Sequence, residues 1–219
     1  MTVIPFPLRQ EQSPLAFAIG ARVDLRVGAL AAGIVRPRDP SRETFTFSKL
    51  ARLLRGARMA WLERGLHATL TLAIPSGMQN GLEADLLSEA AIDAGGTRQN
   101  MNFQMSEREI VATGPALAEG LRARGWSIVL RGDPECPLPF GKHARNLYAE
   151  VVVDVPESPD PFMALEHGDR TPLGRRLLAA KAAGLILTAD TVANVAQART
   201  LAIAGFDRCG GPHAEARLR

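Results

Sequence analysis

Residues 17–35 read FAIGARVDLRVGALAAGIV, and this stretch decides how the sheet begins. Two apolar, β-rich runs, 17–24 and 29–35, flank a short turn at 25–28, where Gly28 is free to take a positive φ. The spacing predicts an antiparallel hairpin. Beyond it the pattern changes. A helix is expected from Ser48 to about Arg64, with Leu50, Leu53, Leu54, Ala57 and Trp61 on one face and Gly65 as its stop. A strand over 68–74 ends at Pro75. A helix over 81–94 stops at Gly95 and Gly96, and a short strand follows over 100–105. A helix beginning near Pro115, strands over 126–130 and 148–153, a helix over 173–183 and a strand over 185–188 complete the order. Helices alternating with short strands predict a parallel sheet, doubly wound or closed as a barrel. No glycine-rich phosphate loop follows the first strand, which counts against a nucleotide-binding doubly wound fold.

The chain has 219 residues, 46% hydrophobic and 22% charged, as in an ordinary globular domain. The reading is an N-terminal arm over 1–16, one domain over 17–212 and a tail over 213–219. No apolar run is long enough to span a bilayer, and the first residues, MTVIPFPLRQEQSP, lack the form of a signal peptide. A cytoplasmic protein with no membrane partner is expected. The net charge of +3 is carried by scattered arginines, and aromatics make up only 5%, so no nucleic-acid partner is expected. Cys136 and Cys209 form no CxxC pair and read as free thiols.

The last strand and helix, GLILTADTVANVAQARTLAIAGFD over 184–207, form a polar corner offering Thr188, Asp190, Thr191 and Asn194. Asn194 is placed to cap the helix, Gln197 to complete a capping box, and Gly205 to end it. His67, His143, His167 and His213 share no ligand spacing, so no metal site is read from them. No nucleophile elbow occurs. Asp133 and Glu135 read as solvated loop acids.

Five stretches carry a resemblance: VDLRVGALAAGIVRP, AWLERGLHATLTLAIPS, NFQMSEREIVATGPALAEGLRARGWSIVLRGD, YAEVVVDVP and LILTADTVANVAQARTLAIAGFDRCGGP. In order and spacing the chain resembles the EAL family, the cyclic di-GMP phosphodiesterase domains. The resemblance implies an α/β fold, an EAL-like modified TIM barrel with one antiparallel strand, which suits the opening hairpin. It also implies a reaction that uses two divalent cations held by acids and an amide at strand ends. Carried over position by position, those ligands fall on Ala32, Ala73 or Ile74, Gln104, Arg131, Gly132 and Ala193, with Asp190 as a shortened acid, and the family's lysine falls on Val152. Arg36, Glu107 and Asp154 match family positions that survive.

The resemblance therefore implies a degenerate domain in bacterial signalling, with no catalytic residue, metal or cofactor, acting as a regulatory or protein-interaction module. One alternative is a non-hydrolysing cyclic di-GMP receptor, and another is an unrelated TIM-barrel enzyme. Candidate ligand-binding residues are Arg36, Glu107, Arg131, Asp154 and Asp190. Arg131 is a new cation at the mouth, free to hold a phosphate or to pair with Asp133 or Asp154. A protein partner is expected, a homodimer being one form of it. The proline-stiffened loop with Pro137, Pro139 and Phe140 is the candidate contact surface. Replacing Phe140 with aspartate is expected to weaken association, read by size-exclusion chromatography and co-purification, while leaving the melting temperature unchanged.

Overall fold

The computed structural model describes residues 2–3, 17–38, 47–75, 83–133, 144–155 and 172–216. The loop bearing Pro137, Pro139 and Phe140 lies outside them, as do Glu135, Cys136, His143 and His167.

The hairpin forms as the spacing predicts. Strand β2 (Phe17–Asp24) pairs antiparallel with β3 (Leu30–Pro37), and Gly28 takes φ 68° in the turn. Asp24 fixes that turn, because its carboxylate accepts from the backbone N–H groups of Val27 and Arg26. Those two bonds, Val27's first, hold its pKa below the ordinary aspartate value. A two-residue strand, β1 (Thr2–Val3), pairs antiparallel with β2 at Ala18 and Ile19.

From β3 onward every neighbour is parallel: β4 (Thr69–Ala73), β5 (Met101–Ser106), β6 (Ser127–Arg131), β7 (Glu150–Asp154), β8 (Ile186–Asp190) and β9 (Arg208–Gly210). Strand β9 then pairs antiparallel with β2, through Arg22↔Gly210, Val23↔Cys209 and Asp24↔Arg208. Strands β2–β9 thus close into a barrel in which β2 alone runs against its neighbours. Of the two arrangements the alternation allows, the closed one is the observed one.

Strand β9 corrects the sequence reading, which assigned no strand after the last helix. Three residues containing a glycine give no period-2 signal, yet they are enough to bridge β8 and β2. A second correction concerns residues 107–124. A short helix, α3 (Glu107–Thr113), precedes the expected α4 (Ala116–Ala123), and Gly114 at φ 85° separates them.

The other helices lie close to their expected places: α1 (Phe47–Leu62), α2 (Ala84–Asp93), α6 (Pro172–Ala182) and α7 (Val195–Ala204). Two single-turn helices complete the set, α5 (Ala144–Leu147) and α8 (Pro212–Glu215). No helix among the described residues is long and apolar enough to cross a membrane.

Strand alternation sorts side chains into two regions. Phe17, Ile19, Ala21 and Val23 of β2 face outward and join the main core with Trp61, Phe103, Trp126, Leu130, Val151 and Leu187. The rings of Phe103 and Trp126 meet edge to face, 5.5 Å apart. The indole N–H of Trp126 donates to Ser88 Oγ at 2.8 Å, and that of Trp61 to the Ala68 carbonyl at 2.8 Å. The opposite faces point into the lumen and carry Arg22, Gln104, Glu150, Thr188 and Asp190, all buried.

Gly33 is required by close packing rather than by backbone conformation. A Cβ there would stand 2.8 Å from both Leu70 Cδ2 and Trp61 Cη2, so β3 can approach α1 only without one. Gly33→Ala is expected to destabilise the fold by about 1–3 kcal/mol in urea unfolding, the usual effect of overpacking a core.

Candidate functional site

The carboxyl ends of the parallel strands open on one face of the barrel, where α/β barrels carry their reactive groups. The site is built on a guanidinium below that face. Arg22, fully buried, projects from β2 into the lumen. Its Nη1 donates to Glu150 Oε1 at 3.1 Å and its Nη2 to Gln104 Oε1 at 2.5 Å, and Asp190 Oδ2 lies 3.7 Å away. Glu150 is shared further: Thr188 Oγ1 donates to it at 2.8 Å and Arg208 Nη1 at 2.8 Å. A buried charge persists only when paired and hydrogen-bonded. Five strands supply these partners.

Nearer the mouth, Asp154 and Asp190 stand directly opposite each other on β7 and β8. Like charges in that register repel. Arg131, at the end of β6, relieves this: its Nη2 donates to Asp154 Oδ1 at 2.8 Å and Oδ2 at 2.7 Å, while its Nη1 lies 3.7 Å from Asp190 Oδ2. Arg36 Nη2 donates to the same Asp190 oxygen at 3.1 Å. Burial lowers the Arg36 pKa, and the adjacent Asp190 carboxylate acts against that shift. Asp190 Oδ1 faces Gly210, where any Cβ would overlap it.

A cavity of about 430 Å³ opens above this network. Its wall includes Arg36, Arg108, Arg131, Gln104, Ser106 and Asp133. Arg108 Nε donates to Asp133 Oδ2 at 2.6 Å.

Of the five candidate residues, Arg36, Arg131, Asp154 and Asp190 come together. Glu107 does not join them. It is fully buried at the start of α3, forms an ion pair with Arg176 and accepts the Asp133 N–H at 2.6 Å. Arg176 Nη1 donates to the Asp133 carbonyl at 3.0 Å. Glu107 thus anchors the backbone after β6. Of the two acids open to Arg131, it takes Asp154, and Asp133 goes to Arg108.

Sequence reading missed Arg22, Glu150, Arg208 and Arg108. The signal available was one arginine and one glutamate inside apolar strands, FAIGARVD and YAEVVV, each needing a buried partner.

The corner after β8 keeps its shape. Asn194 Oδ1 accepts from Gln197 N–H at 3.0 Å, and Gln197 Oε1 accepts from Ala193 N–H at 2.8 Å, one residue before the expected partner. Gly205 closes α7 in the left-handed region. Thr191 takes φ 64°, rare for a β-branched residue, and its hydroxyl bonds the backbone of Val155.

No family model matches the chain, and no curated relative does. Solved structures do. The PaMucR phosphodiesterase in complex with c-di-GMP superimposes with a TM-score of 0.65 at 16% identity, over 93% of this chain and 98% of that one. The EAL domain of Mycobacterium smegmatis DcpA gives 0.65 at 17% identity, over 90% of each chain. This chain folds as an EAL domain. The EAL enzyme Bd1971 in its cAMP- and cyclic-di-GMP-bound form also matches, with a TM-score of 0.61 at 14% identity. That match takes in 89% of this chain but only 60% of the longer Bd1971 chain.

A pair of divalent cations needs a ring of oxygen donors. At the positions carried over for that ring, this EAL-like barrel holds Ala32, Ala73 or Ile74, Gln104, Arg131, Gly132 and Ala193. The two acids opposed at its mouth, Asp154 and Asp190, are paired with arginine. Among the described residues, no three His, Cys, Asp or Glu side chains are grouped to hold a metal ion. This donor set does not fit such a pair of cations.

Arg22→Met is expected to destabilise the barrel by about 3–5 kcal/mol in urea unfolding, because it breaks a buried ion pair and takes the donor from the Gln104 amide oxygen.

Proposed function

We propose that this chain is a catalytically inactive EAL-like domain that works as a regulatory, protein-interaction module in the cytoplasm of a signalling bacterium. One observation carries the reading. The Arg131 guanidinium lies between Asp154 and Asp190, where a phosphodiesterase of this fold needs cations held by acids. A fixed positive side chain meets the charge demand of both carboxylates and brings no water to activate. The contact surface inferred for the partner is the segment bearing Pro137, Pro139 and Phe140. It follows Asp133, whose backbone is held by Glu107 and Arg176. The likeness to EAL domains leaves an unrelated TIM-barrel enzyme without support.

A second reading, a non-hydrolysing cyclic di-GMP receptor, draws on the cavity of about 430 Å³ with Arg36, Arg108 and Arg131 in its wall. It also draws on neighbours of the same fold described in complex with that dinucleotide.

No turnover of cyclic di-GMP is expected with Mg²⁺ or Mn²⁺ in a chromatographic assay. Hydrolysis that Asp190→Asn or Glu107→Gln abolishes would sink the proposal. Calorimetry with cyclic di-GMP separates the two readings: the receptor predicts binding weakened by Arg36→Ala, and the interaction module predicts no heat.

A further inference from the structure

The two edges of β2 are covered unevenly. Strand β3 pairs with one edge from Phe17 to Val23. On the other edge β9 meets only Arg22, Val23 and Asp24. The turn shows which backbone groups face which way. Asp24 N–H donates to the Ala29 carbonyl, and the Asp24 carbonyl accepts from Gly28 N–H, both on the β3 side. Leu25 N–H donates to the Asp207 carbonyl, on the β9 side. Backbone groups alternate between the edges along a strand, so Phe17, Ile19, Ala21 and Val23 turn theirs away from β3. Val23 is paired with Cys209 there. Ile19, 1% exposed, lies beyond the three residues of β9 and is opposite Thr2 of β1. Buried N–H and C=O groups need partners, and Thr2 is the one Ile19 has. The cover is slight, because β1 supplies only Thr2 and Val3. A pairing of two residues opens at little cost.

We propose that the β2 edge at Phe17–Ile19 is a docking site for an extended segment of a partner protein, which adds antiparallel to β2 in the place of β1. The seated β1 shows the chemistry of the occupant. It is a pair of β-branched residues running against β2, with Thr2 opposite Ile19 and Val3 opposite Ala18. In strand addition the main-chain hydrogen bonds supply affinity and alternate side chains supply selectivity. Ile19 belongs to the outer apolar layer, so the residue opposite it has to pack there, as a β-branched side chain does and a charged one does not. A partner segment that continues past Ala18 also pairs with Phe17, which has no strand partner on that edge among the described residues. Such a segment makes more of the ladder than β1 and displaces it. The inference rests on the interaction-module reading and gives it a second contact surface.

Titration of the full chain with two labelled peptides, KTVTVTK and KTPTPTK, read by fluorescence polarisation and amide hydrogen exchange, tests it. The first is expected to bind and the second not, because proline cannot complete the ladder. Thr2→Pro removes the N–H that faces Ile19 and so weakens β1. This variant is expected to bind KTVTVTK at least tenfold more tightly than the wild type, whose own strand competes. Exchange at the Ile19 amide is expected to quicken at least tenfold in Thr2→Pro and to slow again with KTVTVTK, while the Phe103 amide stays unchanged. No binding of KTVTVTK to either chain, or equal affinity for the two, overturns the proposal. So does a wild-type dimer that Thr2→Pro abolishes, which gives the edge to a second copy. Turnover of cyclic di-GMP sinks the interaction-module reading without moving the peptide titration, so each can fail independently.

Discussion

The barrel depends on a charge that has nowhere else to go. Arg22 is fully enclosed by strands, and a guanidinium in such a place must be met by acceptors or the fold does not form. Glu150, Gln104 and Asp190 meet it from β7, β5 and β8, strands far apart in sequence. The hydrophobic core outside the barrel tolerates many apolar exchanges, because burial is non-directional. The lumen does not, because each polar atom there needs a partner in a set direction. Register is therefore fixed from inside: a slip of one residue in β7 would turn Glu150 outward into the apolar layer and leave Arg22 and Arg208 facing Val151.

That constraint bears on how the barrel closes. A three-residue strand contributes little pairing energy of its own. Strand β9 holds because both of its sides are occupied, by β8 and by the reversed β2, and because Arg208 at its start reaches Glu150 across the lumen. Gly210 lets it pass close to Asp190. The reversed strand matters here as well. Since β2 is antiparallel to β3 and β9, it brings Arg22 into register with Ala32 on one side and Gly210 on the other. Those two small residues leave room for the guanidinium to extend inward.

Much of this was legible in the sequence, and the omissions have physical causes. The hairpin, the alternation of helices and strands, and the Asn194 cap all rest on local rules: turn glycine, period and capping. Strand β9 was illegible because Arg208–Gly210 is too short to show a period and ends in glycine. Helix α3 was hidden because Ser106 and Gly114 bound only seven residues. The pairing of Arg131 with Asp154 needed the β6–β7–β8 register. Gln104 shows the limit best. Read along the chain, it is a glutamate replaced, and so a loss. Its amide oxygen accepts from Arg22, a residue 82 positions away in the chain.

The lumen and the mouth use their side chains differently. Ala32, Ala73 and Val152 bring no polar group to the lumen. Guanidiniums at the mouth do something more. Arg131 lies between Asp154 and Asp190, so their repulsion is relieved by a charge the chain itself supplies. Those carboxylates in turn orient Arg131 and Arg36. The mouth of this EAL-like barrel is thus tied together by ion pairs between strand ends that lie far apart in the sequence.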